Sequence, residues 1–327
     1  MSQIITPPPV NLDFNIVNVK DCAKISPRPE RIFISSDNFP SVVEFKLAKK
    51  FFSDVKILRQ ARIRGLPTER VFEIFMTNLP ALQEVYKSLV DEDSKKTFCG
   101  YWLGCITNQM SEVVYANTPQ YICPGFLPKA GDIVFDCGAY DGGTSVRFVN
   151  MGCKVYAFEM EKANYDKTLK VAEEKNFVVE NFALGSHKHK VNYIPRGIAS
   201  RIDSGGTATA QVITIDNYVG EKNLPRVDFI KMDVEGTELD ILKGAAITIS
   251  RFKPILALSA YHKLDDFWTL TKFIKSIRPD YEFALRQYAT TPEDAPGWFP
   301  KSRLDYMESF DLEVNHPNYE ECVLFAR

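Results

Sequence analysis

The sequence lacks the features that mark membrane proteins and nucleic-acid-binding proteins. No apolar run in its 327 residues approaches the roughly 20 residues that a membrane-spanning helix needs. The first residues, MSQIITPPPVNLDF, have neither the basic start nor the apolar core of a signal peptide. The net charge of −2 lacks the basic excess that favours binding to nucleic acid. These absences predict a cytoplasmic protein with no integral membrane segment and no nucleic acid as its main partner.

Patterns for disulfides and zinc are also missing. The seven cysteines are an odd number and none of them has C-x-x-C spacing, while only four histidines could add further zinc ligands. We therefore expect reduced, buried cysteines and no metal site. The chain is 45% hydrophobic and 12% aromatic, which is enough for a substantial core in one large domain or two smaller ones.

The first 125 residues predict an arm followed by a mostly helical accessory region. Prolines punctuate residues 1–30, and residues 31–35 have the pattern of a short strand. Apolar spacing predicts helices over 42–52, 68–90 and 94–110, the second of them interrupted at Pro80. We place the boundary of this region near residue 125.

Residues 126–327 alternate between strand and helix patterns, which predicts an α/β domain with a largely parallel sheet covered on both faces. A hairpin is expected around Gly205 and Gly206, and Thr237 is expected to cap the helix that follows it, with Asp240 completing a capping box. Residues 289–318 include Trp298 and Phe299 and have little periodicity, so we predict a substrate-loop insertion there. The predicted strands are 133–137, 154–159, 177–182, 227–234, 255–260, 281–288 and 322–326, and the predicted helices are 144–151, 163–175, 237–247 and 265–276.

A glycine-rich loop, FDCGAYDGG, separates the first strand of this domain from its helix. Glycine lets the backbone approach a ligand closely, and the helix directs its first N–H groups at that ligand. The loop contains Asp136 and Asp141 but no lysine, the reverse of what a phosphate would favour. The loop therefore indicates a ligand with hydroxyls, an ammonium group or a sulfonium.

Polar residues follow the later strands at the edge where parallel sheets bind ligands. Glu159 lies at the position from which a carboxylate accepts hydrogen bonds from the ribose hydroxyls of a nucleotide. The alternative is that Glu159 is simply a solvated residue at the end of a strand. Asn181 and Phe182 could meet an adenine ring, although Phe182 could equally belong to the core.

The fourth and fifth strands are followed by the residues that could carry catalysis. Asp233, Glu235 and Glu238 form an acidic cluster that needs a cation, a metal or a proton nearby. His262 could act as a general base, since an unperturbed imidazole has a pKa near 6.5, or it could be structural.

Several of these segments resemble the FkbM-type family of S-adenosylmethionine-dependent methyltransferases. The resemblance covers roughly residues 130–290, and its most specific block is DVEGTELDILKGA. It implies a Rossmann-like seven-stranded methyltransferase sheet whose last strand, 322–326, is antiparallel, and it implies S-adenosyl-L-methionine as cofactor. The matching segments are FDCGAYDGGTS, KVYAFEMEKANY, NFALGS, ITIDNY, VDFIKMDVEGTELDILKGA and ALSAYHKLDDFW.

The resemblance also implies roles for individual residues. The methionine part of the cofactor would contact Asp136, Gly138, Ala139 and Asp141, its ribose Glu159, and its adenine Asn181 and Phe182. Asp233 and Glu235 would lie beside the cofactor or the acceptor, and His262 occupies the position of the family histidine after the fifth strand. Tyr140, Gly142 and Met160 are further expected cofactor-binding residues.

The expected reaction is O-methylation of a hydroxyl on a sugar, a glycan or a natural-product scaffold, so the expected partner is a small-molecule or glycan acceptor. A metal-dependent O-methyltransferase that uses Asp233, Glu235 and Glu238 is one alternative. A nicotinamide-dependent Rossmann oxidoreductase is another, although the sequence has no clean G-x-G-x-x-G motif. The sequence does not predict the oligomeric state.

Overall fold

The computed structural model describes residues 31–35, 54–58, 62–63, 66–107, 113–197, 200–289 and 321–327. The predicted arm, the predicted helix over 42–52 and nearly all of the predicted loop over 289–318 lie outside these residues. The chain forms two compact units, one of residues 1–60 with 301–313 and the other of residues 61–300 with 314–327. In the first unit, strand β1 (Arg31–Ser35), which the sequence predicts, pairs in parallel with β2 (Asp54–Leu58).

The second unit contains a seven-stranded sheet of order β14-β15-β13-β12-β5-β6-β7. Strand β15 runs antiparallel to both of its neighbours and the other pairs are parallel, which confirms the predicted Rossmann-like methyltransferase sheet. The strands of this unit are β3 (Arg62–Ile63), β4 (Leu66–Pro67), β5 (Ile133–Cys137), β6 (Lys154–Phe158), β7 (Val178–Glu180), β8 (Ala183–Leu184), β9 (His189–Ile194), β10 (Arg201–Ile202), β11 (Ala208–Ile213), β12 (Phe229–Met232), β13 (Ile255–Ser259), β14 (Phe283–Gln287) and β15 (Cys322–Ala326).

The central strands are apolar because both faces of the sheet are covered. Every residue of β5, β12 and β15 is buried. A smaller sheet of order β10-β9-β11-β8 contains the predicted hairpin, since β9 and β11 pair in antiparallel fashion.

The helices of this unit differ from the prediction in two places: the helix over Ile215–Glu221 was not predicted, and one predicted helix is broken in two. The predicted helix over 237–247 is two helices that are separated at Gly244 and Ala245. A Cβ at Gly244 would lie 2.0 Å from the carbonyl oxygen of Gly185, so this position requires glycine. The predicted capping box is also wrong, since the Thr237 hydroxyl donates to the Val234 carbonyl and does not cap the helix. The helices are α1 (Thr68–Thr77), α2 (Leu79–Ser88), α3 (Glu92–Thr107), α4 (Gly143–Asn150), α5 (Lys162–Lys175), α6 (Ile215–Glu221), α7 (Glu238–Lys243), α8 (Ala246–Phe252) and α9 (Asp266–Ile277).

Helix α3 packs beside the edge strand β14. The Ser94 hydroxyl accepts a hydrogen bond from the Leu285 amide at 2.9 Å, and Arg286 forms an ion pair with Asp91 at 3.1 Å. The ring of Tyr101 lies 4.8 Å from that of Phe267 on α9. The accessory helices therefore belong to the same compact unit as the sheet, and the predicted boundary near residue 125 falls inside this unit. No helix within the described ranges combines the length and apolar character needed to cross a membrane.

Candidate active site

A cavity of about 430 Å³ opens at the carboxyl ends of β5, β6, β12 and β13. Parallel α/β sheets bind their ligands at this edge, and the volume suits a small-molecule site. Ten of the sequence-predicted residues line it: Gly138, Ala139, Tyr140, Asp141, Glu159, Met160, Phe182, Asp233, Glu235 and His262.

The glycine loop forms one wall of the cavity and requires glycine at position 138. Gly138 has a φ of +84°, and a Cβ there would lie 1.9 Å from the carbonyl oxygen of Asp233. The amides of Gly138 and Ala139 both donate to the carbonyl of Phe158, at 3.0 and 3.1 Å. These contacts hold the loop directly against the ends of β6 and β12, so that residues from three strand ends share one cavity.

A buried ion pair lies beneath the loop. Lys231 Nζ is 2.9 Å from Asp136 Oδ1, and the two side chains are 3% and 0% exposed. Lys231 also donates to the carbonyl of Gly138 at 2.7 Å, and the Ser145 hydroxyl donates to Asp136 Oδ2 at 2.6 Å. Asp136 is thus enclosed by protein groups and does not line the cavity, a placement that does not support its predicted contact with the cofactor.

We predict that Lys231→Met lowers the free energy of unfolding by about 3–5 kcal/mol, because it leaves the Asp136 carboxylate buried without its cation. Urea denaturation would measure this loss. The exposed Lys243 on α7 provides a matched control, and Lys243→Met should change stability little. Equal effects of the two substitutions would show that the ion pair does not stabilise the loop.

Glu159 follows β6 with both carboxylate oxygens directed by backbone amides. Oε2 accepts from the Tyr140 amide at 2.8 Å and Oε1 accepts from the Glu161 amide at 2.7 Å. Burial raises the pKa of Glu159 to about 7, although these two amides act in the opposite direction. Each carboxylate oxygen has a further lone pair, so Glu159 can still accept hydrogen bonds from two hydroxyl groups of a ligand in the cavity.

Two other predicted cofactor residues lie behind the cavity wall. The Asn181 side-chain amide donates to the carbonyls of Glu159 and Met160, at 2.8 and 3.1 Å, so it fixes the segment that carries the carboxylate. Gly142 lies at the beginning of α4, next to the side chains of Thr168 and Phe177. Neither Asn181 nor Gly142 lines the cavity, whereas Phe182 does.

His262 lies among three carboxylates on the opposite side of the cavity. Its Nδ1 is 2.7 Å from Glu238 Oε1, and its Nε2 is 3.6 Å from Asp233 Oδ1 and 3.9 Å from Glu235 Oε1. Burial by itself lowers the pKa of His262, but the hydrogen bond and charge of Glu238, together with the other two carboxylates, raise it to about 9. The pKa of His262 therefore lies above the ordinary value for an imidazole, and the ring carries a proton at neutral pH in the free protein.

Asp233 is held by two phenols, neither of which was predicted from the sequence to have a role. Tyr121 donates to Asp233 Oδ2 at 2.8 Å and Tyr261 donates to Oδ1 at 3.0 Å. Burial favours a higher pKa for Asp233, but Lys231, His262 and the two phenols lower it below its ordinary value. Tyr121 lies upstream of all the recognisable motifs, so only its tertiary contact reveals it.

A metal-dependent methyltransferase would use the carboxylates of Asp233, Glu235 and Glu238, but in the structure these three surround the His262 imidazole. Within the part of the chain that the structure describes, no group of three or more histidine, cysteine, aspartate or glutamate side chains has an arrangement that could hold a metal ion. The geometry therefore gives no support to a metal bound by Asp233, Glu235 and Glu238.

Comparisons with known proteins agree with this fold. Residues 136–285 match the methyltransferase FkbM domain. A stretch of 119 residues is 26% identical to the hexuronic acid methyltransferase AglP of Haloferax volcanii, covering 35% of this chain and 49% of that protein. The chain therefore spans about half the length of this curated relative.

A solved structure extends the similarity beyond the matched domain. The crystal structure of a methyltransferase FkbM from Methylobacillus flagellatus KT superposes with a TM-score of 0.65 at 21% identity, covering 89% of this chain and 71% of that one. At this identity the likeness shows a shared fold. Residues 136–285, which contain the glycine loop, the strand ends and most of the cavity lining, therefore match the methyltransferase FkbM domain, and the chain shares the fold of this solved neighbour.

Proposed function

We infer that the chain transfers a methyl group from S-adenosylmethionine to a hydroxyl of a sugar, a glycan or a natural-product scaffold. One observation carries this proposal: a single cavity is lined by the Glu159 carboxylate on one side and by the His262 imidazole on the other. A sugar acceptor is supported by the similarity to a protein named as a hexuronic acid methyltransferase.

S-adenosylmethionine is the cofactor that the domain implies, and the residues of the cavity fit its chemistry. Its ribose presents two vicinal hydroxyls, which match the two oxygens of Glu159. Phe182, Leu184 and Ile241 give the cavity an apolar portion suited to a flat base. Asp141 and the backbone of the glycine loop would hold the amino-acid end, where an ammonium group favours a carboxylate.

The cofactor supplies a methyl group activated by a positively charged sulfur. The protein has to align the acceptor oxygen with that methyl carbon at about 3–3.5 Å and to remove the hydroxyl proton as the new bond forms. His262 Nε2 takes the proton from the hydroxyl oxygen. Asp233 and Glu235 orient the acceptor beside it, and the phenols of Tyr121 and Tyr261 keep Asp233 in place.

This role requires His262 to lose the proton that it holds in the free protein. The imidazolium is stabilised by the three carboxylates around it. A second cation in the same cavity opposes that stabilisation, because like charges disfavour each other's charged forms. With the positively charged cofactor bound, His262 would hold its proton less tightly, and its Nε2 would be the neutral base that faces the acceptor.

Methyl transfer can be tested with S-adenosylmethionine that carries an isotopically labelled methyl group and a panel of methyl glycosides, including neutral, amino and uronic acid members, plus phenolic scaffolds. We expect label in an O-methyl ether of at least one acceptor, identified by mass spectrometry and NMR. Transfer only to nitrogen or carbon, with no ether formed, would contradict the proposal.

A further inference from the structure

Glu238 is a buried carboxylate whose position is explained by its contact with His262. It is the first residue of α7 and is 1% exposed. Its Oε1 accepts a hydrogen bond from His262 Nδ1 at 2.7 Å and one from the Val234 amide at 3.3 Å. Its Oε2 is buried and has no hydrogen-bond partner among the residues that the structure covers. A charged group is costly to bury in this way unless a cation lies beside it.

The Glu238 contact determines which ring nitrogen is available for chemistry. A carboxylate can only accept, so His262 Nδ1 is the donor and carries a hydrogen in both protonation states of the ring. Nε2 then becomes the nitrogen that gains or loses a proton. It is buried, lacks a hydrogen-bond partner in the described part of the chain, and belongs to a residue that lines the cavity.

The groups that face the ring come from several elements. Glu238 approaches from α7, and Asp233 and Glu235 approach from the turn after β12. The ring of Tyr261 lies 4.3 Å from the imidazole. Tyr121 and Lys231 affect the ring through Asp233. Tyr121 donates a hydrogen bond to Asp233, and the charge of Lys231 lowers the pKa of Asp233. Among the three carboxylates, Glu238 makes the shortest contact and is the most deeply buried.

We propose that Glu238 is the positioning residue of the site: it fixes His262 with hydrogen on Nδ1, directs Nε2 to the acceptor hydroxyl, and supplies the charge that governs protonation of the ring. The catalytic part of this inference rests on the proposed methyl transfer. When the acceptor O–H bond breaks, its proton passes to Nε2, and the oxygen's electron pair forms the bond to the methyl carbon. The electron pair of the broken carbon–sulfur bond stays on sulfur.

The proposal can be tested on the full chain without any ligand, by ¹⁵N NMR of His262 during a pH titration. Glu238→Gln keeps an oxygen that accepts from Nδ1 but removes the charge. We expect it to lower the pKa of His262 from about 9 by about 1–3 pH units. Glu235→Gln is the matched control, since Glu235 lies 3.9 Å from Nε2 and is 35% exposed, and it should lower the pKa less.

The wild-type protein supplies a second test in case Glu238→Gln fails to fold. Above the pKa of His262, the ¹⁵N shifts should show the neutral ring with hydrogen on Nδ1, the reverse of the form that predominates for free histidine. Hydrogen on Nε2, or a pKa that Glu238→Gln leaves unchanged, would overturn the proposal.

Steady-state kinetics then separate positioning from mere support of the fold. Glu238→Gln should lower kcat without changing the Kd for S-adenosylmethionine, and the ascending limb of the kcat/KM profile, which reports the His262 base, should move to lower pH. An equal loss of donor affinity and kcat would assign Glu238 a structural role. If the protein bound no S-adenosylmethionine, the proposed function would fail, while the NMR result would still decide whether Glu238 positions the ring.

Discussion

Replacing His262 with asparagine is expected to lower kcat for methyl transfer by about 10²–10⁴-fold, the range that general-base catalysis contributes. The affinity for S-adenosylmethionine should remain nearly the same, because the imidazole serves the acceptor. Asparagine suits this test, since its side-chain amide can replace the donation from Nδ1 to Glu238 and keep that buried carboxylate hydrogen-bonded. Kinetics with the best acceptor from the glycoside panel, and calorimetry for donor affinity, would measure the two quantities.

The pH dependence gives this prediction a definite sign. A general base works only when it is deprotonated, so kcat/KM of the wild-type protein should rise with pH through the free-protein pKa of His262, about 9. The kcat profile should rise at lower pH, because the bound cation disfavours the imidazolium. The rise with pH should be absent from both the kcat/KM and the kcat profiles of His262→Asn. A folded His262→Asn protein that no longer binds the donor would refute the assignment of His262 as the base.

Replacing Glu159 with glutamine is expected to weaken the binding of S-adenosylmethionine by roughly 10²-fold or more. Each hydrogen bond to a charged group contributes about 1.5–3 kcal/mol, and two ribose hydroxyls would lose the carboxylate. Glutamine keeps one oxygen for a backbone amide, so the loop at Tyr140 should retain most of its structure. At saturating donor, kcat should change far less than the affinity. Isothermal titration with the donor and with its demethylated product would measure both affinities.

Glu173 provides a control for the loss of one negative charge. Glu173→Gln makes the same chemical change on the exposed surface of α5 and should leave the donor affinity unchanged. Unaltered donor affinity in Glu159→Gln would remove the ribose role of Glu159. An equal loss in both variants would point to the overall charge of the protein and not to a contact.

The sheet was predictable because its strands are buried on both faces and appear as continuous apolar runs. Strands β5 and β15 have the predicted bounds, since turn residues flank short apolar segments. The break between α7 and α8 was not predictable, since it lies where Gly244 closely approaches Gly185 on a distant loop. Helical periodicity does not register such a contact.

The location of the site at the strand ends was predictable, but the role of each side chain in the site was not. The rule that ligands bind at the carboxyl ends of parallel strands brought Glu159, Asp233 and His262 to one cavity. It could not indicate that Asp136 pairs with Lys231 beneath the loop, or that Asn181 turns toward two backbone carbonyls. Those roles depend on side-chain direction and on contacts between residues far apart in sequence.

The protonation of His262 also depends on tertiary structure. Sequence alone assigns the ordinary imidazole pKa, whereas three carboxylates contributed by α7 and by the turn after β12 raise it to about 9. Tyr121 is a similar case, since it reaches Asp233 from a segment outside the matched domain. The residues that adjust the site are therefore less visible in the sequence than those that form it.

The most direct test of this account is calorimetric titration of the full chain with S-adenosylmethionine and, separately, with reduced nicotinamide dinucleotide, each in two buffers of different ionisation enthalpy near pH 8. We expect S-adenosylmethionine to bind at one site with release of a proton that is lost in His262→Asn, and the dinucleotide to give no binding heat. Binding of the dinucleotide without binding of S-adenosylmethionine would contradict the assignment of the cavity as a methyl-donor site.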